Sequence, residues 1–422
     1  MSDERTAGGP AGRTGDVQVG VRRAVDLDPA APLPDSDPEL AKRIVDEIEA
    51  GGPMPLARFM ELALYDPKAG YYTRPDPGGH GPGRRGDFLT APESHPIFGE
   101  AVAAHLEAVW ETLERPERFV VREHGAGTGA LAAGVLGGLR RSGSPLGPAI
   151  RYQPIDASPA RLEQLGARLR ALDLAAALEP ATDQPEAGAI LANELLDALP
   201  VHRVEGGHGV LLERFVDVAP DGSLREVALQ PSTPALAERL DVEGIALEPG
   251  QVAEICLALD EWTATAAATL ERGELLVIDY GRDAGDLYDP VRGSTLRAYH
   301  RHRVHADPFA AIGRQDLTAH VDLTAVDRAA TRAGLQAIGR TSQARFLADL
   351  GIGELLVERQ TDGQTTLAGY LEAKSAVVRM LDPRATGAFA VLGFGRRLPL
   401  DASVRGFGTE AAGPHRTFRP AR

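Results

Sequence analysis

A single cysteine, Cys256, stands among 422 residues, so no internal disulfide can form. That usage suits a reducing compartment, and a cytoplasmic location is expected. His and Cys nowhere fall at zinc-ligand spacing, so no metal is expected. Long apolar runs are missing too. None reaches the roughly 18 residues that a membrane span needs, so no span is expected. The opening "MSDERTAGGPAGRTGD" has no apolar segment of the kind a secretory signal carries. Positive charge is the minority sign. Lys and Arg number 45 against 60 Asp and Glu, a net charge of −15. No broad positive field can form to displace nucleic-acid counterions, so no nucleic-acid partner is expected, and a basic partner suits the chain better.

What is present is a globular protein's share of apolar residues, 43%, on a chain long enough for two or three domains. Residues 1–37, ending in "DLDPAAPLPDSDP", hold too little apolar material to offset the entropy of ordering, and read as a disordered arm. Asp37-Pro38 then opens a helix with Leu40, Ile44, Val45 and Ile48 on one stripe. "PLARFMELALYD" is a second helix and Pro96 to Leu113 a third. A Gly/Pro-rich loop from Tyr72 to Gly86 separates these last two. Residues 38–115 are expected as an N-terminal helical cap. From Phe119 strands and helices alternate, the pattern of an α/β protein with a doubly wound parallel sheet. The core is expected over 116–204 and 251–285, with "AEICLALDEWTATAAATL" helical and a last strand near residue 394. Residues 205–250 and 286–375 read as insertions that build a substrate site, with a hairpin from "GVLLERFVDVA" and "SLREVALQ". Residues 401–422 read as a loose tail.

The stretch "VVREHGAGTGALAAGVL" joins a strand to a helix through Gly125, Gly127 and Gly129. Such a turn lets backbone approach a ligand, and the helix that follows offers free N–H groups. Its spacing also fits a dinucleotide fingerprint or a plain tight turn. Glu123 tilts the choice. A carboxylate two residues before the first glycine is poorly placed for an anionic pyrophosphate. It suits S-adenosylmethionine (SAM), whose ammonium and sulfonium are cationic. Asp156 ends the next strand, where an acid can bind ribose hydroxyls, although Asp156 and Ser158 before Pro159 could equally cap a helix.

Polar residues follow the third strand directly in "ANELLDALP". Asn193 and Glu194 are expected to face the cleft beyond the strand ends, with Asp197 beside them as a further candidate or a local cap. "GRQDLTAHVD" supplies Asp316, Thr318, His320 and Asp322, downstream of the basic "RAYHRHRVH". Capping, a satisfied core histidine and a surface patch are the structural alternatives there. A histidine near a methyl acceptor can take a proton or orient a donor. "GDFLTAPESHPIFGE" places Asp87, Thr90, Pro92 and Glu93 ahead of a helix, either as a cap or as a fixed loop over the cofactor.

These blocks stand together in order with "PLARFMELALYDPKAGYY", "IDASPARLEQ", "LLVIDYG" and "QARFLADLGI" over about residues 53–351. The chain resembles the MidA-like SAM-dependent methyltransferases, the family that includes the mitochondrial complex I assembly-factor arginine methyltransferase. His124 departs from the apolar residue usual there, and Asp156 replaces a more common Glu. The resemblance implies a Rossmann-like class I SAM-dependent methyltransferase core with added helices and an inserted substrate region. It also implies methylation of a protein arginine, with a respiratory complex I subunit as the substrate suggested by the relatives. A small-molecule methyltransferase and a non-catalytic SAM-binding assembly factor are the alternatives. On this reading Glu123, Gly125, Gly127, Gly129 and Asp156 bind SAM, with Thr90 and Pro92 in the loop above it. Glu194 holds the acceptor guanidinium and Asn193 positions it. His320 with Asp316 or Asp322 completes the acceptor pocket, and Asp279 and Tyr280 support the acceptor or close the cleft.

Overall fold

The computed structural model describes residues 33–74, 89–301, 303–399 and 404–408. Most of the expected N-terminal arm and of the loop to Gly86, with Asp87, lies outside these residues. At the centre is a six-stranded sheet, with strands labelled along the chain as β1 Phe119–His124, β2 Ile150–Ile155, β3 Glu186–Asn193, β4 Leu270–Asp279, β5 Gln336–Ser342 and β6 Ala390–Arg396. Their order is β5-β6-β4-β3-β1-β2. β1 to β4 are parallel neighbours, whereas β6 runs antiparallel to both β4 and β5.

Parallel strands covered on both faces must be apolar almost throughout, and period-two alternation decides which residue meets which layer. Ala189, Leu191, Leu276, Ile278 and Val391 pack on one side, against helices Ile97–Thr112 and Ala130–Ser142. Ile190, Ala192, Leu275, Val277, Leu392 and Phe394 pack on the other, against Ala258–Ala268 and Leu323–Arg332. The first two helices touch backbone to backbone: a Cβ on Gly99 would stand 2.7 Å from Gly134 Cα.

A second, antiparallel sheet runs Met54–Pro55, Leu211–Val218, His202–Gly206, Val252–Ile255, with Leu224–Leu229 also on the Leu211–Val218 strand. The hairpin is therefore present. Val252–Ile255 corrects the sequence reading, which ran the helix through "AEIC". The β-branched Val252 and Ile255 pair with Glu205 and His202, and the helix starts only at Ala258. The expected cap also divides. Leu40, Ile44, Phe59 and Met60, from helices Pro38–Gly51 and Leu56–Tyr65, pack with Val201 and with Val216 and Leu317 of the expected insertions, while Ile97–Thr112 covers the main sheet. Within the expected insertion 286–375, β5 and the Leu323–Arg332 helix belong to the main sheet and its cover. Among the described residues, no helix is long and apolar enough to cross a membrane.

Residues 404–408 are not loose. Val404 is 3% exposed, and Phe407 packs edge-on against His105. His105 is fully buried, with Nδ1 2.6 Å from the Arg405 carbonyl oxygen and Nε2 2.6 Å from Glu274 Oε2. Two acceptors on one ring call for two N–H donors, hence the imidazolium. Burial would depress this imidazole, but the Glu274 carboxylate outweighs burial and holds it above its usual range. A pKa raised by folding contributes stability that is full below the unfolded pKa and is lost as pH rises through the folded one. His105→Gln is therefore expected to cost about 2 kcal/mol in urea unfolding at pH 6 and less at pH 9. Equal losses at the two pH values would show that the ring acts only by packing.

Candidate active site

In open α/β sheets a crevice opens where neighbouring strands send their connections to opposite sides, beyond their carboxyl ends. β1 and β3 meet that condition. The connection after β1 leads to β2 on one side, and β3 lies on the other. The ends of β1, β2 and β3 border a cleft of about 530 Å³, lined by the glycine turn, Asp156, Asn193 and Glu194, with Thr90 and Pro92 above.

The turn is built as its glycines require. Gly125, Gly127 and Gly129 have φ of +71°, +52° and +80°, and a Cβ on Gly129 would stand 2.6 Å from Leu165 Cγ. Asp156 fastens the turn: Oδ2 accepts from Gly127 N at 2.8 Å and Oδ1 from Ser158 N at 2.8 Å. A carboxylate has about four acceptor positions, so room remains for hydroxyl donors. Thr128 Oγ1 donates to Glu93 Oε1 at 2.7 Å, tying the turn to the loop above. Thr90 caps the short helix Ala91–Ser94, accepting from Glu93 N at 3.4 Å. The cap and the cleft wall are thus the same residue.

Glu123 is 5% exposed and lines the cleft. Its carboxyl accepts from the Tyr152 hydroxyl at 2.6 Å. Burial pushes it up to about 8, against the pull of that hydrogen bond, with Asp156 and Glu93 adding to the rise. His124 also faces the cleft. Trp262 Nε1 donates to its Nδ1 at 3.3 Å, and burial holds it neutral, down at about 4. The unusual histidine is therefore an acceptor for an indole, not a cation.

Across the cleft Glu194 sits in the left-handed region, φ +51°, rare for a residue other than glycine. Its Oε1 receives Ala91 N and Asn193 Nδ2, each at 3.3 Å. Burial and then Asp197 raise it to about 8. Asn193 Oδ1 is buried without a hydrogen-bond partner. Asp279, at the end of β4, holds this conformation: Oδ2 accepts from Leu195 N at 3.1 Å and Leu196 N at 2.8 Å. Burial raises Asp279 and Asp197 well above the usual carboxylate range. Two buried carboxyls and the half-buried Glu194 cannot all ionise cheaply so close together, which favours a cation at the cleft. Asp279→Asn puts an amide N–H₂ among donors. It is expected to lower turnover about tenfold with little change in cofactor affinity. Equal falls in both would move Asp279 to the cofactor side.

Asp316 is buried and reaches the cleft through Tyr72, whose hydroxyl donates to Oδ1 at 2.7 Å. His320 does not reach it. It lines a separate void of about 20 Å³, and its ring stands edge-on to Tyr280 with centroids 5.2 Å apart. Alternation would have set 316, 318 and 320 on one face, but the strand ends at Thr318. The helix cap expected of Asp316 or Thr318 is instead Asp322, which caps the Leu323–Arg332 helix by accepting from Ala325 N at 3.0 Å. The sequence reading missed Tyr65, Tyr72, Arg74, Arg161 and Trp262 in the cleft wall. Tyr65 and Tyr72 stack at 5.5 Å, and the Arg161 guanidinium lies 5.3 Å over Tyr72. The paired tyrosines of "AGYY" were the one available signal.

Comparison with known proteins bears on this geometry. The family profile described as S-adenosyl-L-methionine-dependent methyltransferase matches residues 101–341. The mitochondrial protein arginine methyltransferase NDUFAF7 homolog of Drosophila melanogaster is 32% identical over 338 residues, covering 73% of this chain and 74% of its own. The Homo sapiens protein arginine methyltransferase NDUFAF7 is 27% identical over 371 residues, 78% of this chain and 79% of its own. Among solved structures, a COG1565 superfamily member from Burkholderia thailandensis bound to S-adenosyl-homocysteine has a TM-score of 0.77 at 35% identity, over 90% of this chain and 100% of that one.

Proposed function

Because the chain belongs to this family of S-adenosyl-L-methionine-dependent methyltransferases, we propose that it methylates an arginine of a protein substrate in the cleft at the ends of β1 and β3. The sheet order and the reversed β6 support a Rossmann-like class I core, with Ile97–Thr112 as its cap and the antiparallel sheet as the substrate region.

The observation that carries the reading is the half-buried Glu194 on the cleft wall, backed by the buried Asp197 and Asp279, with Glu194 in a strained conformation that aims it inward. A guanidinium stays charged in proteins and needs carboxylates to orient it. Glu194 holds it, and Asn193 Oδ1, otherwise without a partner, accepts one of its N–H groups. Asp316 extends the negative wall through Tyr72. The cofactor fits the opposite wall: Gly125, Gly127 and Gly129 admit it closely, Glu123 faces its ammonium, Asp156 its ribose hydroxyls, and Thr90 and Pro92 close over it. Bound there, S-adenosylmethionine supplies an electrophilic methyl group. The chain's own residues fix where the accepting nitrogen lies, which is where much of the rate of such a displacement comes from. A nitrogen that gains a methyl gives up a proton, and Glu194 Oε2, with no backbone donor on it, is placed to take it.

The test is transfer of labelled methyl groups to proteins of a lysate from cells lacking this chain, followed by acid hydrolysis. Label in methylarginines is expected. Label only in small molecules, or in another amino acid, would overturn the arginine reading and keep the methyltransferase.

A further inference from the structure

His300 and Arg301, from the basic segment that follows "STLRAY", have no part in the cleft chemistry above, yet they line a second cavity. Arg74, His300, Arg301 and Arg314 line a space of about 540 Å³, with Asp35 as the carboxylate on its wall. In a chain of net charge −15 such a concentration of cations needs a cause. Arg74 lines both this space and the cleft, so its side chain stands on the wall between them. Arg74 Nε and Nη2 and Arg314 Nε are buried without hydrogen-bond partners. Among the described residues, the carboxylate paired with Arg314 is a distant one, Asp37 Oδ2 at 3.9 Å. Buried N–H donors left unpaired are costly, and a guanidinium has nothing but donors to offer.

The cavity adjoins the acceptor end of the cleft. His300 closes the strand Arg297–His300, on which the preceding residue, Tyr299, pairs with Asp316. Tyr72, two residues before Arg74, donates to the same Asp316. His300 Nδ1 lies 3.0 Å from the Arg314 carbonyl oxygen and fixes the floor. Carboxylates that suit a cation thus lie next to guanidiniums that suit an anion.

We propose that this cavity is a subsite for a carboxylate: an Asp or Glu side chain of the substrate protein close in sequence to the methylated residue. The proposal rests on the protein-arginine reading above and adds a second recognised group. The planar fork of Arg74 matches a carboxylate. Asp35 on the same wall disfavours a doubly charged phosphate relative to a singly charged acid. None of the glycine-turn residues lines the space, although Arg74 also lines the cleft that holds them.

The test uses the full chain saturated with S-adenosylhomocysteine and blocked peptides carrying one arginine and one glutamate, separated by none to four glycines. Each is paired with its glutamine counterpart. At a favoured spacing the glutamate peptide is expected to bind about tenfold tighter than its counterpart, and Arg74→Gln to abolish the difference. Arg314→Gln should weaken it as well. S-adenosylhomocysteine affinity of Arg314→Gln, measured separately, is expected to stay within about twofold, which also reports folding. No glutamate preference at any spacing overturns the proposal. So does a fall in S-adenosylhomocysteine affinity for Arg74→Gln, which would give Arg74 to the cofactor. Alanine in place of the peptide arginine separates the two readings: a surviving glutamate preference upholds the subsite, and unchanged affinity on that replacement counts against the arginine reading alone.

Discussion

Glu194→Gln is expected to lower methyl transfer about 10²- to 10³-fold while S-adenosylhomocysteine binding stays close to that of the parent chain. The substitution keeps the shape and the Ala91 and Asn193 contacts. It removes the charge that a guanidinium requires and the oxygen placed to accept its proton. An unpaired charge in a desolvated site costs about 2–5 kcal/mol, which sets the size of the loss. Glu194 lies near 8 in the ligand-free chain because burial and Asp197 disfavour its anion. Turnover at limiting substrate should therefore climb with pH to about 8 and then level, and the variant should lose that climb. Steady-state rates across pH 6–9, with cofactor affinity measured in parallel, check both statements. A variant within a few-fold of the parent would remove Glu194 from the acceptor side.

Much of this arrangement was legible because the sequence states it locally. Alternating apolar runs mark β1 to β4, and the three glycines mark a turn that no Cβ-bearing residue could take without strain. Asn193 and Glu194 were found by a rule about strand ends, which is geometry and not composition. The failures lie where distant partners decide. Val252–Ile255 reads as helix until the His202–Gly206 strand is known to lie beside it. Residues 404–408 read as loose because nothing nearby announces that His105 and Glu274 wait for the Arg405 carbonyl. His320 was grouped with Asp316 by nearness in sequence, but the strand ends at Thr318 and His320 lines a separate void beside Tyr280. Arg74 is one arginine beside a long loop, and only the fold shows that it stands between two cavities.

Cofactor affinity is expected to rise with pH by up to about tenfold per unit between pH 6 and 8, and to flatten above. The cause is Glu123, whose buried carboxyl is pushed up to about 8 in the ligand-free chain. An ammonium against it favours the anion, so binding below pH 8 must drive off a proton. Titration of the chain with S-adenosylmethionine in buffers of different ionisation heat should register about one proton released at pH 7. Glu123→Gln should abolish the release and flatten the profile. Glu194→Gln should leave both intact, since the proposed function sets Glu194 at the acceptor. The same shift sets the stability of the ligand-free chain. A carboxyl raised by folding binds its proton more tightly folded than unfolded, so Glu123 lowers stability progressively as pH rises from about 4.5 towards 8, by at most ~1.4 kcal/mol per unit. Without ligand, Glu123→Gln should therefore melt higher than the parent at pH 8 and nearly alike at pH 5. With saturating cofactor the order at pH 8 should invert, because the parent's carboxylate then has its cation. A parent chain whose cofactor affinity does not change with pH would place the ammonium elsewhere and leave Glu123 as a partner of Tyr152 alone.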